Sequence, residues 1–268
     1  MHSYVLYLVV AFIYLAVAFD FWHETKPSTQ QSLKLHSTMI ALGLILHGGL
    51  LYENILSLGL NLGFYNALSL IFWLTLLIYW CANIKHQLQS LQAFVLPPAA
   101  IFAVLPSFFV ENHYLTDSVS TLFVVHIVIA ILAYSLFTFA ALHAMLMLIA
   151  ERNLHRKTSL INLPSFPPLM VMEDLLFKVI GLGFILLTFT LISGMLFSEE
   201  IFGKPIQFSH KTIFSIASWL IYAGLLLGRF AYGWRGRKAI RWVLAGFLLL
   251  LLAYIGSKFV LEIVLHRV

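Results

Sequence analysis

Long apolar runs, each closed by charged or turn-forming residues, set the rhythm of the chain. They lie near residues 4–20, 36–58, 66–84, 91–110, 119–149, 177–197, 211–231 and 239–265. A helix needs about 20 predominantly apolar residues to cross the hydrocarbon of a bilayer, so this pattern predicts about eight transmembrane helices. The first run has no Lys or Arg ahead of it, is too long for the apolar stretch of a signal peptide, and ends in Asp20-Phe21-Trp22 rather than small residues. It therefore reads as a retained membrane helix. With these spans drawn, no segment is long enough for a separate soluble domain. The expectation is an all-α polytopic membrane protein, a helical bundle forming a single transmembrane domain over residues 1–268.

Composition narrows the function classes. Of 268 residues, 61% are hydrophobic and 10% charged, with a mean hydropathy of +0.95, whereas soluble domains average about 45–50% and about 25%. A soluble globular domain and a disordered chain are both excluded on that ground. Cys81 is the only cysteine, so there is no disulfide framework. The net charge of +5 does not point to nucleic acid, because the basic residues gather in alternate loops of a membrane protein. The first loop carries Lys26 and Lys34, the third Lys85, the fifth Arg152, Arg156 and Lys157, and the seventh Arg229, Arg235, Arg237, Lys238 and Arg241. The second and fourth loops have none, and the sixth sets Lys204 and Lys211 beside Glu199 and Glu200. Cytoplasmic loops retain Lys and Arg, so the odd loops are expected inside and both termini outside, with membrane lipid as the surroundings.

Pro97, Pro98 and Pro106 fall in the fourth span, where each removes a backbone donor. Gly43, Gly48 and Gly49 in the second span permit close approach of a neighbouring helix or a flat ligand. There is no internal repeat, no G-x-S-x-G elbow and no G-x-x-x-x-G-K-[ST] loop, so hydrolysis and ATP-driven transport by this chain alone are disfavoured.

The candidate chemistry lies in the histidines, which number 11, as many as the acidic residues. His47 sits near the middle of the second span, where an ionisable group is costly and is read first as functional. His126, His210 and His266, with His113 in the fourth loop, all fall on the outer half by the loop-charge orientation. A lone membrane histidine is more often a hydrogen-bonded packing residue than a ligand. Two neutral imidazoles arriving at similar depth from different helices, however, suit the axial positions of a haem iron. Zinc brings thiolate or carboxylate partners, and the one thiol is at the far end of the third span. Lys258, Glu262 and His266 share a helical face at i, i+4 and i+8, so Glu262 either orients His266 or neutralises Lys258.

One run carries more than periodicity: Phe166-Pro-Pro-Leu-Met-Val-Met-Glu-Asp-Leu-Leu-Phe-Lys-Val-Ile-Gly-Leu-Gly-Phe-Ile-Leu-Leu-Thr-Phe-Thr-Leu-Ile-Ser-Gly194. It resembles the segment leading into the haem-handling region of the CcsA/CcmC-type cytochrome c assembly proteins, and Ser218-Trp219-Leu220-Ile221-Tyr222-Ala223 resembles the start of the helix beyond it. The resemblance covers roughly residues 65–268. It implies that His126, in Val125-His126-Ile127, and His266, in Leu265-His266-Arg267, are the two external haem-ligand histidines. Two departures accompany it. The family's tryptophan-rich loop ending in Trp-Asp-Pro is replaced by Gln207-Phe208-Ser209-His210-Lys211, and a family histidine deeper in the following helix aligns with Leu227. The pattern is similar to the HemX/YpjD-like branch.

The resemblance therefore implies a membrane protein binding b-type haem non-covalently, with His126 and His266 as axial pair and His210 and His47 as further candidates. Its implied role is haem handling in cytochrome c biogenesis, alongside other assembly proteins and without full ligation activity, as a carrier or chaperone rather than a synthase. Two rivals remain at this level. One is a cofactor-free accessory or scaffold subunit, favoured by Leu227 and the missing tryptophans. The other is a small-solute transporter, favoured by His47 and the proline-bearing span.

Overall fold

A computed structural model describes residues 2–23, 30–57, 59–86, 88–109, 120–155, 168–202 and 210–256. The described residues contain eight α-helices and no strand: α1 (His2–His23), α2 (Gln30–Ile55), α3 (Phe64–His86), α4 (Gln92–Phe108), α5 (Thr121–His155), α6 (Leu169–Phe202), α7 (His210–Tyr232) and α8 (Gly236–Leu251). A 3-10 turn, Gln89–Leu91, leads into α4, and a π-helical turn, Leu252–Gly256, follows α8. Seven of the helices are long and apolar enough to span a membrane. The eighth is described to Gly256, and the remainder of its expected span lies outside the described residues.

The helices overrun the apolar runs that announce them. α5 and α6 are 35 and 34 residues long, because the backbone ladder continues past the hydrocarbon into polar ends such as Glu173 and Arg152, where charge is cheap. α4 keeps to its expected span, with Pro97, Pro98 and Pro106 inside one helix. Its neighbours explain this, since α4 packs between α1 and α3, and Ala99, Ala100 and Ala103 are at most 1% exposed. Small side chains let helices approach closely where lipid removes the hydrophobic drive to associate, and that packing holds α4 on its path despite the lost donors.

The chain forms two compact units. The first, Met1–Leu115 with Met145–Met172, holds α1 to α4. Here α1 and α2 run as a pair with polar contacts at three levels: His36 Nε2 and Asp20 Oδ2 at 2.8 Å, the Tyr14 hydroxyl and His47 Nδ1 at 3.5 Å, and Asn54 donating to the Tyr7 hydroxyl. Between them Gly43 lies flat under the Tyr14 ring, where a Cβ would overlap it, so this glycine serves helix packing. α3 is tied to α2 by indole donors, Trp73 Nε1 to the Leu44 carbonyl at 2.8 Å and Trp80 Nε1 to the Ser37 carbonyl at 3.1 Å.

The second unit, Thr116–Ala144 with Glu173–Val268, holds most of α5 and α6 together with α7 and α8. Phe137 of α5 stacks on Tyr222 of α7 at 4.0 Å, and Trp219 of α7 donates to Thr188 of α6 at 2.8 Å. α7 ends in a left-handed turn: Gly233 has φ +64° and donates to the Arg229 carbonyl at 3.1 Å, a conformation that suits glycine because it has no Cβ. α8 then starts without a side-chain cap from its own N-cap residue, Arg235. Its first N–H, on Gly236, donates instead to Glu173 Oε2 of α6 at 3.3 Å, while Glu173 Oε1 accepts from Arg229 at 2.6 Å and faces Arg235 Nε at 3.4 Å. One carboxylate thus binds three helices at one end of the unit.

Candidate functional site

His126 is the sixth residue of α5, roughly 8 Å along the helix from its first residue at 1.5 Å per residue. Its Nδ1 lies 2.7 Å from Ser193 Oγ of α6. The Ser193 hydroxyl proton is already directed to its own helix, with Oγ 2.6 Å from the Phe189 carbonyl and 3.3 Å from that of Thr190. Ser193 therefore accepts, and His126 donates from Nδ1–H. In a neutral imidazole this leaves the lone pair on Nε2, which has no hydrogen-bond partner among the described residues.

Aromatic rings wall the imidazole. Phe123, one turn earlier on α5, lies 6.1 Å away and nearly parallel, Phe197 of α6 meets it edge-on at 5.8 Å, and the two phenyl rings meet each other at 5.7 Å. Gly194 adjoins the ring, and a Cβ there would stand 3.5 Å from His126 Cε1. Lys211, the second residue of α7, is close enough to act on His126 electrostatically and also lies 5.9 Å over the ring of Tyr254. A half-buried imidazole with a lone pair on Nε2, phenyl rings beside it and a cation nearby is donor chemistry that would suit a haem iron and the acidic edge of the macrocycle. Those residues fit the group.

The other expected residues fall as follows. His210 is the exposed first residue of α7, immediately before Lys211, in the same unit as His126. His266 lies outside the described residues, as do Lys258, Glu262 and His113. His47 is 0% exposed and belongs to the first unit, with Nε2 2.9 Å from Ser69 Oγ and Nδ1 3.5 Å from the Tyr14 hydroxyl. Both of its nitrogens face hydroxyls. Leu227 is 66% exposed on α7. Among the described residues no three His, Cys, Asp or Glu side chains converge as a metal site.

Reading the sequence did not single out Ser193, Phe123 or Phe197 as neighbours of His126, nor Glu173 as the partner of Arg229. Ser193 and Gly194 do close the run that carried the family resemblance, so the signal was present but had no geometry attached. Glu173 stands in the same run, an acid in the first turns of α6 whose partner lies in a basic turn far along the chain.

Residues 35–265 match the family model described as cytochrome C assembly protein. The chain is 33% identical to the inner membrane protein YpjD of Escherichia coli over 157 residues, 58% of this chain and 59% of YpjD. It is 35% identical over 140 residues to a 28.8 kDa protein of Azospirillum brasilense, 52% of each chain. To the cytochrome c biogenesis protein CcsA of Prochlorococcus marinus it is 38% identical over 95 residues, 35% of this chain and 30% of that protein. The match thus spans between about half and three fifths of the first two relatives and less of the third.

Proposed function

The chain belongs to the cytochrome c assembly protein family, and we propose that it is a haem-handling protein of cytochrome c biogenesis, holding b-type haem non-covalently in a bacterial inner membrane. The observation that carries this reading is the imidazole of His126, fixed through Nδ1 by Ser193, with its Nε2 lone pair unused and the rings of Phe123 and Phe197 beside it. A bonded second nitrogen is the usual way a protein sets the tautomer and aim of a metal-binding histidine.

In this reading His126 and His266 would hold the haem iron through their imidazoles. When bound, haem would supply a redox-active iron, and ligation by two imidazoles would suit carriage rather than oxygen chemistry. The phenyl rings exclude water from the macrocycle. Lys211 offers a cation to a haem carboxylate, and His210 beside it donates to the same edge. His47, with a hydroxyl on each nitrogen, serves packing in the first unit. Gln207-Phe208-Ser209-His210-Lys211 contains no tryptophan, so the platform that orients haem against apocytochrome thiols in the resembling family is missing. Without it the chain binds or passes haem but does not ligate it.

The test is the absorption spectrum of the purified protein and of its variants. A Soret band is expected in the wild type and is lost in His126→Ala, while Ser193→Ala binds about tenfold more weakly, the usual cost of removing a partner that orients a metal-bound histidine. Co-expression with a CxxCH reporter in a strain without its own maturation system should give no covalently haem-stained reporter. Persistent absence of haem from wild type purified under haem-replete conditions would favour the scaffold reading, which the exposed Leu227 supports.

A further inference from the structure

The first unit carries a groove of about 600 Å³ between α1 and α2. Phe12, Leu15 and Phe19 wall it from α1 and Leu35 from α2, all of them exposed. With Asp20 the α1 residues stand at i, i+3, i+7 and i+8, one face of a helix. The groove is therefore an apolar strip about two turns long that ends on a carboxylate. Among the described residues no Lys or Arg lines it.

Its polar end is held from behind. His36, 4% exposed, has both ring nitrogens engaged: Gln92 of α4, itself buried, donates to Nδ1 at 3.4 Å, and Nε2–H donates to Asp20 Oδ2 at 2.8 Å. Two buried side chains thus fix one oxygen of the carboxylate. The other, Oδ1, has no partner among the described residues, and the Asp20 side chain is 71% exposed. A carboxylate accepts hydrogen bonds and donates none, so this end of the groove calls for a donor. Asp20 stands three residues before the end of α1, and the exposed Trp22 close by marks the head-group level of a bilayer.

We propose that this groove is a binding site for an isoprenoid quinol, one ring hydroxyl donating to Asp20 Oδ1, the ring against Phe19 and the prenyl tail along Leu15, Leu35 and Phe12. The open carboxylate oxygen selects a hydroxyl over a carbonyl, and so the quinol over the quinone. A phospholipid is disfavoured, because its phosphate would face a carboxylate with no cation on the wall to meet it. The apolar strip selects a tailed ligand over a soluble phenol, and the volume is of the size that small-molecule sites have. The groove belongs to the first unit and His126 to the second, so the inference stands apart from the haem reading.

The test uses the full chain in phosphatidylcholine discs, kept anaerobic, with a ubiquinol that carries a diazirine on its tail. After photolysis the label is located by mass spectrometry of the digested protein. Displaceable label is expected on the groove residues of α1 and α2. Decyl-ubiquinol should displace it at about tenfold lower concentration than decyl-ubiquinone, the least that a hydrogen bond to a charged group is worth. Asp20→Ala should remove that preference. Ala16→Trp, which fills the groove wall and leaves the Asp20–His36 pair in place, should remove the displaceable label, with an unchanged thermal midpoint to show that it folds. Equal displacement by quinol and quinone, displaceable label confined to other helices, label that survives Ala16→Trp, or displacement by phosphatidylethanolamine as effective as by the quinol would each overturn the proposal.

Discussion

Ser193 and Ser69 do opposite things to the imidazoles they touch. Ser193 occupies Nδ1 of His126 and leaves Nε2 with its lone pair, while Ser69 and Tyr14 between them face both nitrogens of His47. The same residue type thus has one free valence in the second unit and none in the first. His47→Ala is expected to leave the Ser69 and Tyr14 hydroxyls without their partner inside the unit, at a cost of about 1–3 kcal/mol. A thermal scan of the detergent-solubilised variant would show it as a lowered midpoint, while the haem content of its folded fraction stays at the wild-type level. Loss of haem from a variant with an unchanged midpoint would make His47 a ligand instead. His126 and His47 were both legible in the sequence, as ionisable groups in apolar runs. What set them apart was not, because Ser193 lies 67 residues from His126 and Ser69 lies 22 from His47, and no local pattern encodes those meetings.

Among the helices, α6, α7 and α8 are joined at one end by Glu173, which pairs with Arg229 and caps α8 in place of a side chain from the α7–α8 turn. Glu173→Gln keeps the shape but removes the charge that a guanidinium and a helix N-terminus both face. The expected loss is about 2 kcal/mol, between that of one charged hydrogen bond and that of a broken buried pair, because the Arg229 side chain is 27% exposed and water takes up part of the deficit. Thermal unfolding checks it, with Arg229→Met/Glu173→Met as the companion. If the pair is worth less than its desolvation, the double variant will be more stable than Glu173→Gln alone. The helices themselves were readable from apolar run length, since hydrocarbon thickness is a physical ruler. Their ends were not, since α6 begins at Leu169, eight residues before its expected start near residue 177. A helix does not stop where charge begins; it stops where its backbone finds another partner.

At the scale of the whole chain, the alternation of basic loops supports an orientation with both termini periplasmic, which we propose together with an outward-facing His126. Single cysteines placed at positions 200 and 235 in a Cys81→Ser background test it. A membrane-impermeant thiol reagent added to intact cells with a permeable outer membrane should label position 200 and spare 235; the reverse pattern would invert the protein and move the haem site to the cytoplasmic side. The all-helical membrane fold followed from composition and run length alone. The division into two compact units did not, because α1 to α4 and α5 to α8 are equally apolar and no linker or change of composition marks a border. The division depends on which helix packs on which, and that is decided by small-residue faces such as Ala99, Ala100 and Ala103 rather than by hydropathy.

The three polar contacts between α1 and α2 have a consequence for how the protein is made. Asp20, Tyr14 and Tyr7 descend one helix as His36, His47 and Asn54 ascend the other. Sliding the pair by a single turn, about 5.4 Å, would separate every rung at once. Either helix released alone into lipid would separate the Tyr14 hydroxyl and His47, both on residues 0% exposed in the packed pair. The two are therefore best suited to leave the insertion machinery together as a hairpin whose register is already set, so that the first segment synthesised waits for the second before it meets the bilayer.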